Sequence, residues 1–138
     1  MEYGCENWID HFSGILPHGR YSMHLELSDE KGLIVHLQSD QCSILLDFGV
    51  IYGINVLEEG VQLNDLPNCT YEMDSLPHSS YESVIYLIQN GRYEQYIKLC
   101  MGNELFDFLQ LHQINVVAQN YVAMIVCNGV PKIYTYYK

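Results

Sequence analysis

The residues of this chain best suited to chemistry are its six histidines and five cysteines, the side chains that hold transition metals or act as nucleophiles. Their spacing opposes both uses. No Cys-x-x-Cys, His-x-x-x-His or His-Glu-x-x-His occurs, so no local segment presents two ligands at the separation a metal requires. His24 and His36 fall on neighbouring predicted strands and could face one another. Two histidines make an incomplete site, and solvent-facing positions on an antiparallel pair explain them better. Asp47-Phe48-Gly49 spells the metal-binding motif of protein kinases, but no Gly-rich loop or His-Arg-Asp accompanies it; it reads as a strand end. Glu58-Glu59 is a candidate acid/base pair, yet adjacent residues at a strand end point to opposite sides and sit in water. Cys100 and Cys127 fall on predicted apolar faces, where a thiol stays protonated and unreactive. No Gly-x-Ser-x-Gly elbow and no phosphate-cradling glycine pattern is present. The expectation is a protein that is not an enzyme and uses no cofactor and no metal.

Charge departs further from the ordinary. The 138 residues carry 17 acidic and 6 basic side chains, a net charge of −11. From Met1 to Gly91 there are 14 acids against Arg20 and Lys31, whereas Arg92 to Lys138 holds 3 acids and 4 bases. Such a field repels phosphate backbones and anionic lipid, which disfavours direct binding to nucleic acid or membrane. It favours encounter with a basic protein, since steering raises association rates by roughly 10 to 1,000-fold at low salt. The alternative is that the acids serve solubility alone.

The opening Met1-Glu2-Tyr3-Gly4-Cys5 lacks the basic and apolar regions of a secretory signal, and no apolar run approaches the ~20 residues of a membrane span. Cysteines odd in number and widely spaced are how reduced thiols look. These features predict a cytoplasmic protein.

Hydrophobic periodicity predicts the elements that must position these groups. Trp8, Ile9 and Phe12 after Asn7 suggest a short N-terminal helix or turn. Tyr21 to Asp29 alternates as a half-buried strand, and Leu33 to Gln38 and Cys42 to Phe48 complete a meander through the turn Asp29-Glu30-Lys31-Gly32. Val50 to Leu57 reads as a fourth strand, with Gly53 at a bulge or bend. Val61 to Pro77 reads as a long irregular connection. Ser79-Ser80-Tyr81-Glu82 has the form of a capping box, and Tyr81, Val84, Ile85 and Ile88 follow helical spacing. Tyr93, Tyr96, Ile97 and Cys100, then Leu105, Phe106 and Leu109, predict further short helices. Gln113 to Ala118, Tyr121 to Cys127 and Lys132 to Tyr137 return to strand chemistry. The middle of these is apolar throughout, as in a strand covered on both faces. The expected fold is a single α+β domain over residues 1–138, a mostly antiparallel sheet with two or three helices packed on one side. The 12 tyrosines are mostly assigned to core and edge packing, although Tyr134, Tyr136 and Tyr137 place aromatic area on both faces of the last strand, where a partner could meet it.

With Ser79-Ser80-Tyr81 on a capped helix, Leu45-Leu46-Asp47-Phe48 before it, Leu111-His112-Gln113-Ile114 six residues ahead of Asn120, and Pro131-Lys132-Ile133 near the end, the chain from Tyr21 onward resembles small bacterial immunity proteins. These neutralise the toxins of polymorphic or contact-dependent growth inhibition systems. The resemblance implies a cytoplasmic, non-enzymatic inhibitor of a cognate toxin domain, often a nuclease with a basic surface. The acids expected to meet such a partner are those at predicted turns and loops: Asp29, Glu30, Asp40, Glu58, Glu59, Asp65, Glu72 and Asp74. Two other functions stay open, an acidic adaptor with no toxin partner and a small metal-dependent enzyme using His24 and His36. Oligomeric state is left open as well.

Overall fold

Met23 on one strand, Leu33, Val35 and Leu37 on the next, and Ile44 and Leu46 on a third are all buried, and each alternates with a more exposed neighbour. This period of two is what a sheet with one covered face requires. In the computed structural model, which describes residues 6–10, 12, 16–17, 19–58 and 84–138, these strands belong to a mostly-sheet α+β fold built from two antiparallel sheets.

The strands are β1 (Asn7–Ile9), β2 (Ser22–Ser28), β3 (Gly32–Gln38), β4 (Cys42–Gly49), β5 (Gly53–Glu58), β6 (Ile85–Gln89), β7 (His112–Val117), β8 (Tyr121–Cys127) and β9 (Lys132–Tyr137). The helices are α1 (Arg92–Met101) and α2 (Asn103–Phe108). One sheet has the order β2-β3-β4-β9, the other β1-β6-β7-β8-β5. The inward residues of both, including Leu33, Val35, Ile44 and Leu46 from the first and Ile85, Ile114, Ala123 and Ile125 from the second, form one core cluster. Helix α1 contacts β7 and β8, with α2 packed beside it. Their residues Phe106, Tyr93, Ile97 and Met101 pack with Val126 and Leu111, on the face of the five-stranded sheet that points away from the core.

Most sequence expectations are met: the meander β2-β3-β4, a fourth strand, both short helices, and β7 to β9. Three details need correction. The helix expected on Tyr81, Val84, Ile85 and Ile88 is instead strand β6 from Ile85 onward; its proposed capping box lies outside the described residues. Val84 to Ile88 is an unbroken apolar run. Ile85 and Leu87 contribute to the inter-sheet core, while Tyr86 and Ile88 pack on the other face with Trp8. A five-residue run buried on both sides matches a helical stripe and a central strand equally well, and only pairing partners separate them. Trp8 and Ile9, expected in a helix or turn, form β1 opposite Ile88 and Leu87, a partner some 80 residues away that local periodicity cannot anticipate. The single sheet becomes two, because neither the N-terminal meander nor the C-terminal strands could otherwise cover their apolar faces.

Gly53 marks neither bulge nor bend but close approach. A Cβ there would meet the Tyr93 hydroxyl and Ile97 at 2.8 Å, so the absent side chain lets α1 lie against the start of β5.

Helix α1 begins without a cap of its own. Its N-cap residue is Gly91, and the open amides are met from elsewhere in the chain. The Arg92 N–H donates to Glu6 Oε2 (2.7 Å) and the Glu94 N–H to Gln113 Oε1 (2.9 Å). Glu6 also accepts the Trp8 indole N–H (3.3 Å), and Gln113 Nε2 donates to Asn115 Oδ1 (2.8 Å). The backbone of Gly91 sits directly on the Gln113 amide, where any Cβ would collide with it. Burial pushes the Glu94 carboxyl up from its usual range, the desolvation cost of placing an acid beside this junction.

Candidate partner-binding face

Residues that alternate with the core positions of β2, β3, β4 and β9 line the outer face of the four-stranded sheet. Strand register aligns them in three rows. Ser22, Gln38, Ser43 and Tyr136 form the first; His24, His36, Leu45 and Tyr134 the second; Glu26, Ile34, Asp47 and Lys132 the third. The face is thus aromatic at one edge, imidazole-rich at the other, and acidic at one end. Tyr134 and Tyr136 are 44% and 59% exposed, large amphipathic area at the side of an open sheet.

His24 and His36 do face one another, as directly opposed residues with ring centroids 5.7 Å apart and planes tilted by 45°. His36 Nε2 lies 2.9 Å from Glu26 Oε2. That hydrogen bond holds the exposed Glu26 carboxyl below its usual value of 4.5, with the charges of His36, Lys31 and His24 acting in the same direction. A depressed carboxyl contributes stability that is present above its unfolded-state pKa and is lost as pH falls through the lower folded-state value. The carboxylate's part in the contact is therefore lost in the acid range below about 4.5. His36→Ala is expected to move the Glu26 midpoint back up towards 4.5, read from the side-chain carboxyl shift in an NMR titration; an unmoved midpoint would show that His36 is not its cause.

Among the described residues no group of three or more His, Cys, Asp or Glu side chains is placed to hold a metal ion. Cys42 and Cys127 are buried, but Cys100, expected on an apolar face, is exposed, because it lies on the side of α1 turned away from the sheet. Burial pushes the Cys127 thiol up to about 11, which leaves it protonated at neutral pH. No helix among the described residues is long and apolar enough to cross a membrane.

The acids singled out in the sequence separate into two places. Asp29 and Glu30 are exposed in the β2–β3 turn, and Asp40 is exposed in the β3–β4 turn, at the other end of β3. Seven residues of strand separate these turns by roughly 20 Å. Glu58, also exposed, ends β5 opposite Tyr121. It belongs to the same end of the molecule as Asp40, because the β7–β8 turn beside Tyr121 bonds to the start of β2: the Gln119 N–H donates to Tyr21 O (2.8 Å). Glu59, Asp65, Glu72 and Asp74 lie outside the described residues.

Register adds two acids to Asp29 and Glu30 that the sequence reading left out. Glu26 lies on β2 just before the turn, and Asp47 lies across Ile34 from it. A shallow depression at this end is lined by Glu30, Lys31, Ile34, Asp47, Phe48, Gly49, Val130 and Lys132. Asp47 also has a structural duty: its Oδ1 accepts the Gly49 N–H (3.1 Å) where β3 and β4 slip register. A signal for both acids was present, since Glu26 falls on the polar phase of an alternating strand and Asp47 interrupts the apolar run Ile44-Leu45-Leu46.

No family model, curated protein or solved structure matches the chain. What this face can do is therefore read from its own chemistry: carboxylates at one end, aromatic and aliphatic area beside them, and, among the described residues, no cluster placed to hold a metal ion.

Proposed function

We propose that this protein is an immunity-type inhibitor that binds a basic toxin domain, such as a nuclease, through the outer face of its four-stranded sheet. The observation that carries the reading is the meeting, at one end of that face, of Glu26, Asp29, Glu30 and Asp47 in a protein of net charge −11. Acidic groups around an open surface steer a basic partner into contact, and exposed Tyr134 and Tyr136 supply the amphipathic area that interfaces favour. Occlusion of a nucleic-acid-binding surface by such a face would inhibit a nuclease without any chemistry of the inhibitor's own.

The direct test is co-expression with a toxin domain encoded beside this gene, scored for rescue of growth and for co-purification. Rescue with a complex whose association slows as salt rises is expected, because screening shortens the reach of the acids to about 8 Å at physiological ionic strength. Rescue without binding, or binding indifferent to salt, would overturn the reading.

A further inference from the structure

We infer that strand β9 is a self-association edge, along which a second copy of this chain adds antiparallel to extend the four-stranded sheet. The two outer strands of that sheet differ. On β2, the Met23 N–H donates to Asn120 Oδ1 (2.9 Å) and Met23 O accepts from Asn120 Nδ2 (3.2 Å). With the Gln119 N–H on Tyr21 O, the β7–β8 turn seals the first half of this edge as a short piece of strand would. On β9 no described residue does the same.

The Lys138 N–H donates to Gln41 O (2.9 Å), so the amide of Lys138 points at β4. Amide direction alternates along a strand, which turns Tyr136, Tyr134 and Lys132 towards β4 and Ile133, Thr135 and Tyr137 outward. The other side of β4 agrees: the Ser39 N–H donates to Cys42 O (3.0 Å), so Cys42, Ile44 and Leu46 face β3 and Ser43, Leu45 and Asp47 face β9. Among the described residues nothing pairs with the outward N–H and C=O groups of Ile133, Thr135 and Tyr137, the template on which another strand pairs.

Charge and register together point to the occupant. The strand has no acid, starts at Lys132 and is followed by Lys138, so an extended basic segment would meet like charge at both ends. A second copy fits itself. With the two-fold axis at Tyr134, Ile133 and Thr135 exchange hydrogen bonds with Thr135 and Ile133 of the second copy. Tyr134 then meets Tyr134, and Lys132 lies across from Tyr136, a cation beside an aromatic face. Shifting the axis to Thr135 would instead oppose Lys132 and Lys138. The contact also lies in the part of the chain from Arg92 onward that carries 4 bases and 3 acids, where two acidic molecules repel least.

Light scattering across a concentration series tests this without any toxin partner, so its failure leaves the proposed function untouched. The wild-type mass should move from monomer towards dimer as concentration rises, and more so at high salt, which screens repulsion between two acidic copies; a basic partner would show the opposite salt dependence. Thr135→Pro removes an outward N–H while leaving the bonds to β4 in place, a position where an edge strand tolerates proline. Tyr134→Lys sets two cations on the two-fold axis without touching the backbone. Each should weaken dimerisation on the order of tenfold or more with the circular dichroism spectrum unchanged. A wild type that stays monomeric throughout, or a dimer that survives both variants and so uses another surface such as Tyr96, Leu99 and Phe108 on the helices, would overturn it.

Discussion

Gln113→Leu is expected to cost about 3 kcal/mol of folding stability, a large share of what a domain of this size has. Gln113 is fully buried, and its amide ties strand β7 to the start of α1. Its oxygen satisfies the Glu94 N–H in the first turn of α1, its nitrogen donates to Asn115 Oδ1, and its plane supports Gly91. Leucine has nearly the same volume and none of these partners. It would strand the Glu94 N–H and the Asn115 oxygen together, next to an Asn115 Nδ2 that already lacks a partner. Each buried orphan costs about 1 to 3 kcal/mol, and at the N-terminus of α1 the loss also uncovers a helix end that its own N-cap glycine cannot serve. Urea unfolding should show a lower midpoint with the slope preserved. Gln41→Leu, on the exposed β3–β4 turn, is the control and should stay within about 0.5 kcal/mol of wild type. Equal midpoints for the two variants would mean that the buried amide network contributes nothing net.

Reversing Glu26, Asp29 and Glu30 to Lys is expected to slow association with a basic toxin domain by roughly 10 to 1,000-fold at low salt, with a smaller effect on dissociation. Three reversals change the net charge from −11 by +6, to −5, and concentrate the change at one end of the proposed face. Asp47 is spared because its carboxylate holds the Gly49 N–H. All three altered side chains are exposed, so the thermal midpoint should move little and a loss of binding should not reflect unfolding. Asp40→Lys with Glu58→Lys, at the opposite end of the molecule, is the comparison. Stopped-flow association rates at several salt concentrations should fall steeply for the first set and modestly for the second. Equal falls would assign the effect to net charge alone and remove the face from the proposal; no fall in either would remove the basic partner.

The contrast between these two sites shows what can be read along a chain. The alternation from Tyr21 to Phe48 and the unbroken apolar run of β8 were legible because a strand's burial pattern has a period of two and is written locally. The acidity was legible because charge adds without regard to fold. Glu6, Gln113 and Asn115 were not, since a buried polar residue looks like any surface one until its partners arrive. The Glu6 and Arg92 contact spans 86 positions. Strand β6 was misread for a related reason: its apolar run satisfied a helix and a doubly covered strand alike, and the choice was made by β1 and β7 on either side of it.

For the candidate site the same division holds. Residue types alone set the sign of the field, and the tight turn between their predicted strands was enough to suggest that His24 and His36 could face one another, because such strands have little freedom of register. Which acids stand together was decided only by the tertiary structure. Asp29 and Asp40 are both turn acids in one meander, yet a strand's length keeps them apart, whereas Glu26 and Asp47, 21 positions apart in sequence, come to one end through β3. Sheet formation folds distance along the chain into pairing across it, and pairing, not proximity in sequence, determines the surface a partner meets.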